Sequence, residues 1–166
     1  MQPLVAYNVS VLEKIDQVLL QLSDEEMARP SDLLFGSSVG QHFRHILEFY
    51  ECLLAHVREG SFSYDRRHRN LLIETEVTAA RASAVRSISL LKELREDRVL
   101  AMESELPDTP DMSSQMTTLK RELAYLADHG VHHLAMIRIA LEQELKHVSF
   151  PDHLGVAAST RNFRQR

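Results

Sequence analysis

The sequence TLKRELAYLADHGVHHLAMIRIALEQEL, residues 118–145, predicts a long amphipathic helix against which the rest of the chain can pack. Its apolar residues recur every three or four positions, the spacing that places side chains on one side of an α-helix. That face consists of Leu119, Leu123, Leu126, Gly130, His133, Ile137 and Leu141. Thr117 or Thr118 can cap the first turn, and we expect the helix to end near Leu145.

Two helices with the same periodicity precede it in the chain. The first covers residues 3–22, and a loop that contains Pro30 separates it from the second. The second helix begins at a cap on Ser37 or Ser38 and ends at Gly60, because serine favours helix starts and glycine favours helix ends.

A third helix lies between these two and the last one. Asn70 caps it, and it runs to about Leu94. Residues 61–71 connect helices two and three, and this segment is long enough to be a crossover that lets the two helices run parallel. Residues 95–114 contain two prolines and many acids, which predict a loop that can include a short pair of strands. The tail from about residue 147 is expected to be irregular.

Four amphipathic helices in 166 residues predict an all-α protein, a four-helix bundle that forms one domain over residues 1–166. The net charge is −5, with 19 basic against 24 acidic residues, so the composition does not indicate a nucleic-acid surface. No apolar run is long enough to span a bilayer, and the single cysteine, Cys52, excludes an intrachain disulfide. We therefore expect a cytoplasmic protein that binds neither nucleic acid nor membrane.

Five of the nine histidines fall in two clusters, one on the second helix and one on the fourth. His129 and His133 are four residues apart, so on a helix they lie about 6 Å apart along the axis and about 40° apart around it. Two imidazoles in this arrangement can bind one metal ion. His132 lies off their face. On the second helix, His42 and His45 are three residues apart, and spacing alone does not decide which of them supplies a third ligand.

Three histidines from two helices would leave coordination positions open for water or a substrate. Imidazole binds zinc, nickel and iron, so the expected cofactor is a divalent ion of one of these metals. Asp128 can orient a ligand imidazole, or it can lie on the solvated face of the helix. Three further acids can accept hydrogen bonds or act as a general base, or lie at the surface: Glu48, Glu51 and Glu122.

The crossover contains a tyrosine, an aspartate and two arginines in succession. Tyr64, Arg66 and Arg67 can line the mouth of a site and bind an anionic substrate, because guanidinium groups pair with carboxylate and phosphate groups. Alternatively, Asp65 and the two arginines hold the crossover on the bundle through salt bridges. The sequence leaves both interpretations open.

Four segments together carry a resemblance to one known group of proteins: SSVGQHFRHILEFYECLL (37–54), YDRRHRNLLIETE (64–76), RELAYLADHGVHHLAMI (121–137) and FPDHLGVAAST (150–160). The chain resembles the DinB/YfiT-like superfamily of metal-dependent four-helix-bundle proteins, and more narrowly a bacterial branch of it. This resemblance implies up-down-down-up topology and a divalent metal on three histidines. By position these are His129, His133 and His45, while His42 and His132 are additional candidates.

The resemblance also implies a range of activities, since the superfamily includes thiol-dependent transferases and isomerases and a domain of iron-dependent sulfoxide synthases. We therefore expect a metal-dependent enzyme that activates water or a thiol and acts on a small-molecule substrate. One alternative is a transferase of the DinB type that uses a low-molecular-weight thiol. Another is a non-catalytic protein, either a metal-stabilised helical bundle or a stress-related interaction protein that forms a homodimer.

Overall fold

The computed structural model describes residues 1–109 and 111–164, and this part of the chain is mostly helical. Its α-helices are α1 (Gln2–Leu19), α2 (Asp24–Ala28), α3 (Val39–His56), α4 (Leu72–Thr75), α5 (Val77–Glu93), α6 (Leu119–Glu144) and α7 (Ala158–Arg164). Its strands are β1 (Ser61–Phe62), β2 (Val99–Glu105) and β3 (Met112–Thr118). No helix in the described ranges is both long and apolar enough to cross a membrane.

The four long helices α1, α3, α5 and α6 enclose the hydrophobic core. Both α1 and α3 pack against α5 and α6. The inward face of α3 is fully buried and consists of Phe43, Ile46, Leu47, Tyr50 and Leu53. Burying each of these side chains contributes roughly 1.5–3 kcal/mol, so this face holds α3 in the core of the bundle.

The two helices that carry the histidine clusters begin at side-chain caps. The Ser38 hydroxyl accepts a hydrogen bond from the Gln41 amide (3.1 Å), and the Gln41 side chain accepts one from the Ser38 amide (3.3 Å). Thr118 caps α6 by accepting a hydrogen bond from the Arg121 amide (3.2 Å). Of the caps expected from sequence, the structure therefore uses Ser38 and Thr118.

The expected third helix is interrupted. Its first part has Leu71, not Asn70, at the N-cap position, although the Asn70 side chain accepts a hydrogen bond from the Leu72 amide (3.1 Å). The chain then becomes extended at Glu76, with φ −123° and ψ 114°, which separates α4 from α5. The Val77 amide donates instead to the Asp24 side chain (2.8 Å), so a contact with α2 stabilises the break.

The fold is mostly helical, as expected, and a small sheet accompanies the helices. Strands β2 and β3 form an antiparallel hairpin in which Val99 pairs with Thr118 and Glu105 with Met112. Strand β1 adds in parallel, giving the order β1-β2-β3. Residues 95–114 are therefore not mainly a loop. Leu100 anchors the hairpin in the core, and β3 leads directly into α6.

The first helix and the tail also differ from expectation. Helix α1 ends at Leu19 rather than at residue 22, since the Gln21 and Leu22 amides bond three residues back, to Val18 (3.1 Å) and Leu19 (3.2 Å). The Gln21 side chain bonds to the backbone of Ser149 in the tail (2.8 and 2.9 Å). Within the tail, residues 158–164 form α7, whereas residues 147–157 contain turns but no helix or strand. At Gly155, with φ +70°, a Cβ atom would lie 2.5 Å from Ala135 Cα, so only glycine lets the tail approach α6 this closely.

Candidate metal centre

Three imidazole nitrogens from α3 and α6 converge at one point. The Nε2 atom of His129 lies 3.2 Å from Nε2 of His45 and 3.0 Å from Nε2 of His133. Each of the three histidines offers a ligand atom within 4.8 Å of the others. Two nitrogens that bind a zinc ion at about 2.1 Å stand about 3.0–3.4 Å apart, so these separations fit a shared divalent ion.

A glycine on α6 permits this convergence. Gly130 is buried between the two histidines of α6, and a Cβ atom there would lie 3.2 Å from Val11 Cγ1 and 3.5 Å from Ile46 Cγ2. Because Ile46 follows His45 in sequence, the close approach of α3 to Gly130 also brings His45 to the α6 pair. The glycine that costs helix stability thus allows the contact between helices that forms the site.

The remaining candidates occupy different positions around the triad. His42 Nδ1 lies 3.0 Å from Nδ1 of His133, on the other side of the His133 ring from His129. His132 is exposed, and its ring centroid is 5.6 Å from that of His133. Asp128 is exposed, and in the described part of the chain it forms no hydrogen bond with His129. The structure thus groups His45, rather than His42, with the α6 pair.

The triad is neutral at pH 7, which leaves lone pairs available for a metal. Burial, followed by the neighbouring histidines His45 and His129, lowers the pKa of His133 from 6.5 to about 3. Burial, followed by His129 and then by Arg67, lowers the pKa of His45 to about 4. The pKa of His129 is also lowered, mainly by burial.

The crossover is attached to α3 through Arg67. Its Nε atom lies 3.3 Å from Oε2 of Glu48, a side chain that is only 1% exposed, and its Nη1 donates to the Tyr64 carbonyl (2.8 Å). Its guanidinium also lies over the Phe49 ring (4.8 Å) and reaches 3.4 Å from Nδ1 of His45. Arg67 therefore forms the ion pair that the salt-bridge interpretation expects, beside the candidate centre.

The other two predicted substrate residues have different surroundings. The Tyr64 hydroxyl donates to the buried Glu122 (3.1 Å), and burial raises the Tyr64 pKa. Glu122 also accepts a hydrogen bond from Thr117 (2.6 Å). Arg66 is 58% exposed and lies 3.8 Å from Glu105. None of these contacts tests substrate binding by Tyr64, Arg66 or Arg67, which stays a prediction.

Aromatic rings that were not predicted as site residues form one wall of the site. The Phe49 ring lies 4.6 Å from that of His45 and 4.7 Å from that of His129, and Tyr125 stacks on His129 at 5.4 Å. Phe49 and Tyr125 are each four residues from a predicted ligand on the same helix, so helical spacing could have identified them. A recess of about 280 Å³ beside this wall is lined by Phe49, Tyr64, Asp65, Met102, Ser104, Arg121 and Tyr125.

A larger cavity lies elsewhere in the molecule. It has a volume of about 500 Å³ and is formed where α3 and α5 end, with Leu54, Arg58, Leu94 and Arg98 among its lining residues. Neither this cavity nor the smaller recess has a histidine in its lining. The recess is the candidate substrate site because its lining includes Phe49 and Tyr125, whose rings contact His129.

The fold and the histidine triad together define a mostly helical protein with a candidate three-histidine metal centre. The DinB family matches residues 1–145, and the chain belongs to this family. The chain is also similar to FK506-binding protein 5 of Rhizopus delemar, with 33% identity over 106 residues. That similarity covers 59% of this chain but only 26% of the relative, so the chain spans about a quarter of that protein's length. No solved structure matches.

Proposed function

We propose that this protein is a metal-dependent enzyme in which His45, His129 and His133 hold a divalent zinc, nickel or iron ion. The observation that supports this is the convergence of three neutral Nε2 atoms, with separations of 3.0 and 3.2 Å to the central one. Three neutral imidazoles impose no charge on the ion and suit all three metals, so its identity is left open.

When bound, such an ion supplies Lewis acidity that lowers the pKa of a coordinated water or thiol. The protein contributes the orientation of the imidazoles and a partly water-excluding wall of Phe49 and Tyr125. The adjacent recess has room for a small-molecule substrate. Arg66 remains in the proposal as a group for an anionic substrate because its side chain is exposed.

The proposal includes the finer features expected from sequence. The packing of α1 and α3 against both α5 and α6 supports a four-helix bundle, for which we propose up-down-down-up topology. The free thiol of Cys52 supports a cytoplasmic location. A homodimer is part of the proposal, and light scattering on the purified protein will measure it.

Metal analysis of protein purified without a histidine tag tests the proposal. We expect about one divalent ion per chain in the wild type and loss of that ion in His129→Ala and His133→Ala. His132→Ala is the matched control, because His132 lies on the same helix outside the triad. If the wild type binds no zinc, nickel or iron even after reconstitution, the proposal is wrong.

A second experiment separates the candidate reactions. Hydrolysis of small esters or amides by the metal-loaded protein would support water activation, whereas turnover only after a low-molecular-weight thiol is added would support the transferase. The half-buried triad is also compatible with a structural ion. Metal-dependent thermal stability without any turnover would indicate that role.

A further inference from the structure

We propose that His42 is a positioning residue of the metal centre, which accepts a hydrogen bond from Nδ1–H of His133 and so presents Nε2 of His133 to the ion. This inference rests on the proposed metal site. It assigns to His42 a role distinct from that of a ligand.

His42 and His129 contact different nitrogens of the His133 ring. Nδ1 of His133 lies 3.0 Å from Nδ1 of His42, and the two ring centroids are 5.2 Å apart. Nε2 of His133 lies 3.0 Å from Nε2 of His129. Because the two nitrogens of one imidazole point in different directions, an ion held by the Nε2 atoms lies away from His42.

Proton placement explains why this contact matters. A neutral imidazole carries one N–H, so a ring that binds a metal through Nε2 must carry its proton on Nδ1. A neutral His42 can accept that proton's hydrogen bond at Nδ1 while keeping its own proton on Nε2. The opposite tautomer of His133 would direct an N–H at the ion and would prevent coordination.

The other triad members lack an equivalent acceptor in the described part of the chain. Nδ1 of His45 faces the Arg67 guanidinium at 3.4 Å, and arginine can only donate, so His45 binds an ion through Nε2 only when that contact is released and Nδ1 carries the proton. Nδ1 of His129 forms no hydrogen bond with a described residue. His42 is therefore the side chain best placed to fix the tautomer of a ligand, a function usually worth 10- to 100-fold in metal affinity.

The test measures zinc affinity by competition with a chromophoric chelator in His42→Leu, His42→Asn and His132→Leu. We expect His42→Leu to weaken binding by about 10- to 100-fold. Asparagine places an amide oxygen close to the position of Nδ1, so His42→Asn should retain most of the affinity. His132→Leu is the matched control, since His132 is exposed and outside the triad, and its affinity should equal that of the wild type.

Two spectroscopic readouts distinguish positioning from coordination. The visible spectrum of the cobalt-loaded protein should keep its coordination geometry in His42→Leu, because no ligand is lost. Nitrogen-15 NMR of the zinc-loaded wild type should show His133 protonated at Nδ1, a result that does not depend on whether any variant folds.

The outcomes separate this inference from the proposed function. A wild type that binds no metal contradicts the proposed function itself. A wild type that binds zinc while His42→Leu binds it equally well overturns only the role of His42. The same conclusion follows if His42→Asn is as weak as His42→Leu, if cobalt loses a ligand in His42→Leu, or if His133 is not protonated at Nδ1.

Discussion

Arg66 and Arg67 are neighbours in sequence, but the fold gives their side chains different environments. The Arg66 side chain is 58% exposed, and its Nε atom lies 3.8 Å from Oε1 of Glu105, which is also exposed. The Arg67 side chain is 10% exposed and forms an ion pair with the buried Glu48. Exposed ion pairs contribute about 0–1 kcal/mol, whereas breaking a buried pair leaves a charge without its partner. The sequence around Arg66 and Arg67 could not predict which of them is buried, because the partner of Arg67, Glu48, lies on α3 and is distant along the chain.

At the residue scale, we expect Arg67→Met to destabilise the protein by about 1–3 kcal/mol, because the buried Glu48 would lose one of its two cations and keep only Arg44 at 3.6 Å and the Asn70 amide at 2.8 Å. Arg66→Met should change the free energy of unfolding by less than about 0.5 kcal/mol and serves as the matched control. Urea unfolding of metal-free protein measures both values. Equal stabilities of the two variants would show that the Arg67–Glu48 pair does not hold the crossover.

At the scale of elements, the start of α3 determines where the histidines of that helix point. Ser38 and Gln41 form a reciprocal cap, and His42 and His45 follow within the first two turns. The neighbouring Ser37 uses only its backbone, which donates to the Leu34 carbonyl (3.0 Å) and accepts from the Ser31 amide (3.0 Å). The sequence supplied both serines as candidates, and the tertiary path of the loop selects Ser38.

We therefore expect Ser38→Ala to lower the free energy of unfolding by about 1 kcal/mol, because the Gln41 amide would lose its acceptor. Ser37→Ala should have a much smaller effect and is the control. Thermal unfolding followed by circular dichroism compares the two. A larger loss in Ser37→Ala than in Ser38→Ala would contradict the capping assignment.

Other elements show where local patterns were insufficient. The hairpin β2–β3 was expected at most as a short strand pair, since its residues are largely polar and its pairing depends on contacts between strands. The break between α4 and α5 depends on Asp24, which accepts the Val77 amide from a distant part of the chain. Neither the pairing of β2 with β3 nor the contact between Asp24 and Val77 can be predicted from residues that are close together in the sequence.

At the scale of the whole molecule, the histidine cluster couples stability to pH. The pKa values of His45 and His133 fall from 6.5 to about 4 and about 3 because folding buries them beside each other and beside His129. The unfolded chain then binds more protons than the folded protein between about pH 6.5 and pH 3. Stability is fully present above pH 6.5 and is lost as the pH falls through this range.

We expect metal-free wild type to lose up to about 1.4 kcal/mol per pH unit for each of these histidines below pH 6. His133→Gln should show a shallower dependence, since it removes one of the titrating groups. His132→Gln, which changes an exposed residue, should keep the wild-type slope. Urea unfolding at pH 7, 6 and 5 gives the slopes, and a stability that stays constant over this range would contradict the expected burial of the cluster.

The sequence by itself determined the long helices and their apolar faces, because helical periodicity depends only on residues three and four apart. It also determined that His129 and His133 share one helical face, since their spacing fixes that geometry. Only the tertiary structure decided that His45 joins them and that His42 contacts the Nδ1 atom of His133. That choice depends on how closely α3 approaches α6 over Gly130, and such packing between distant segments is not encoded in the spacing along either helix.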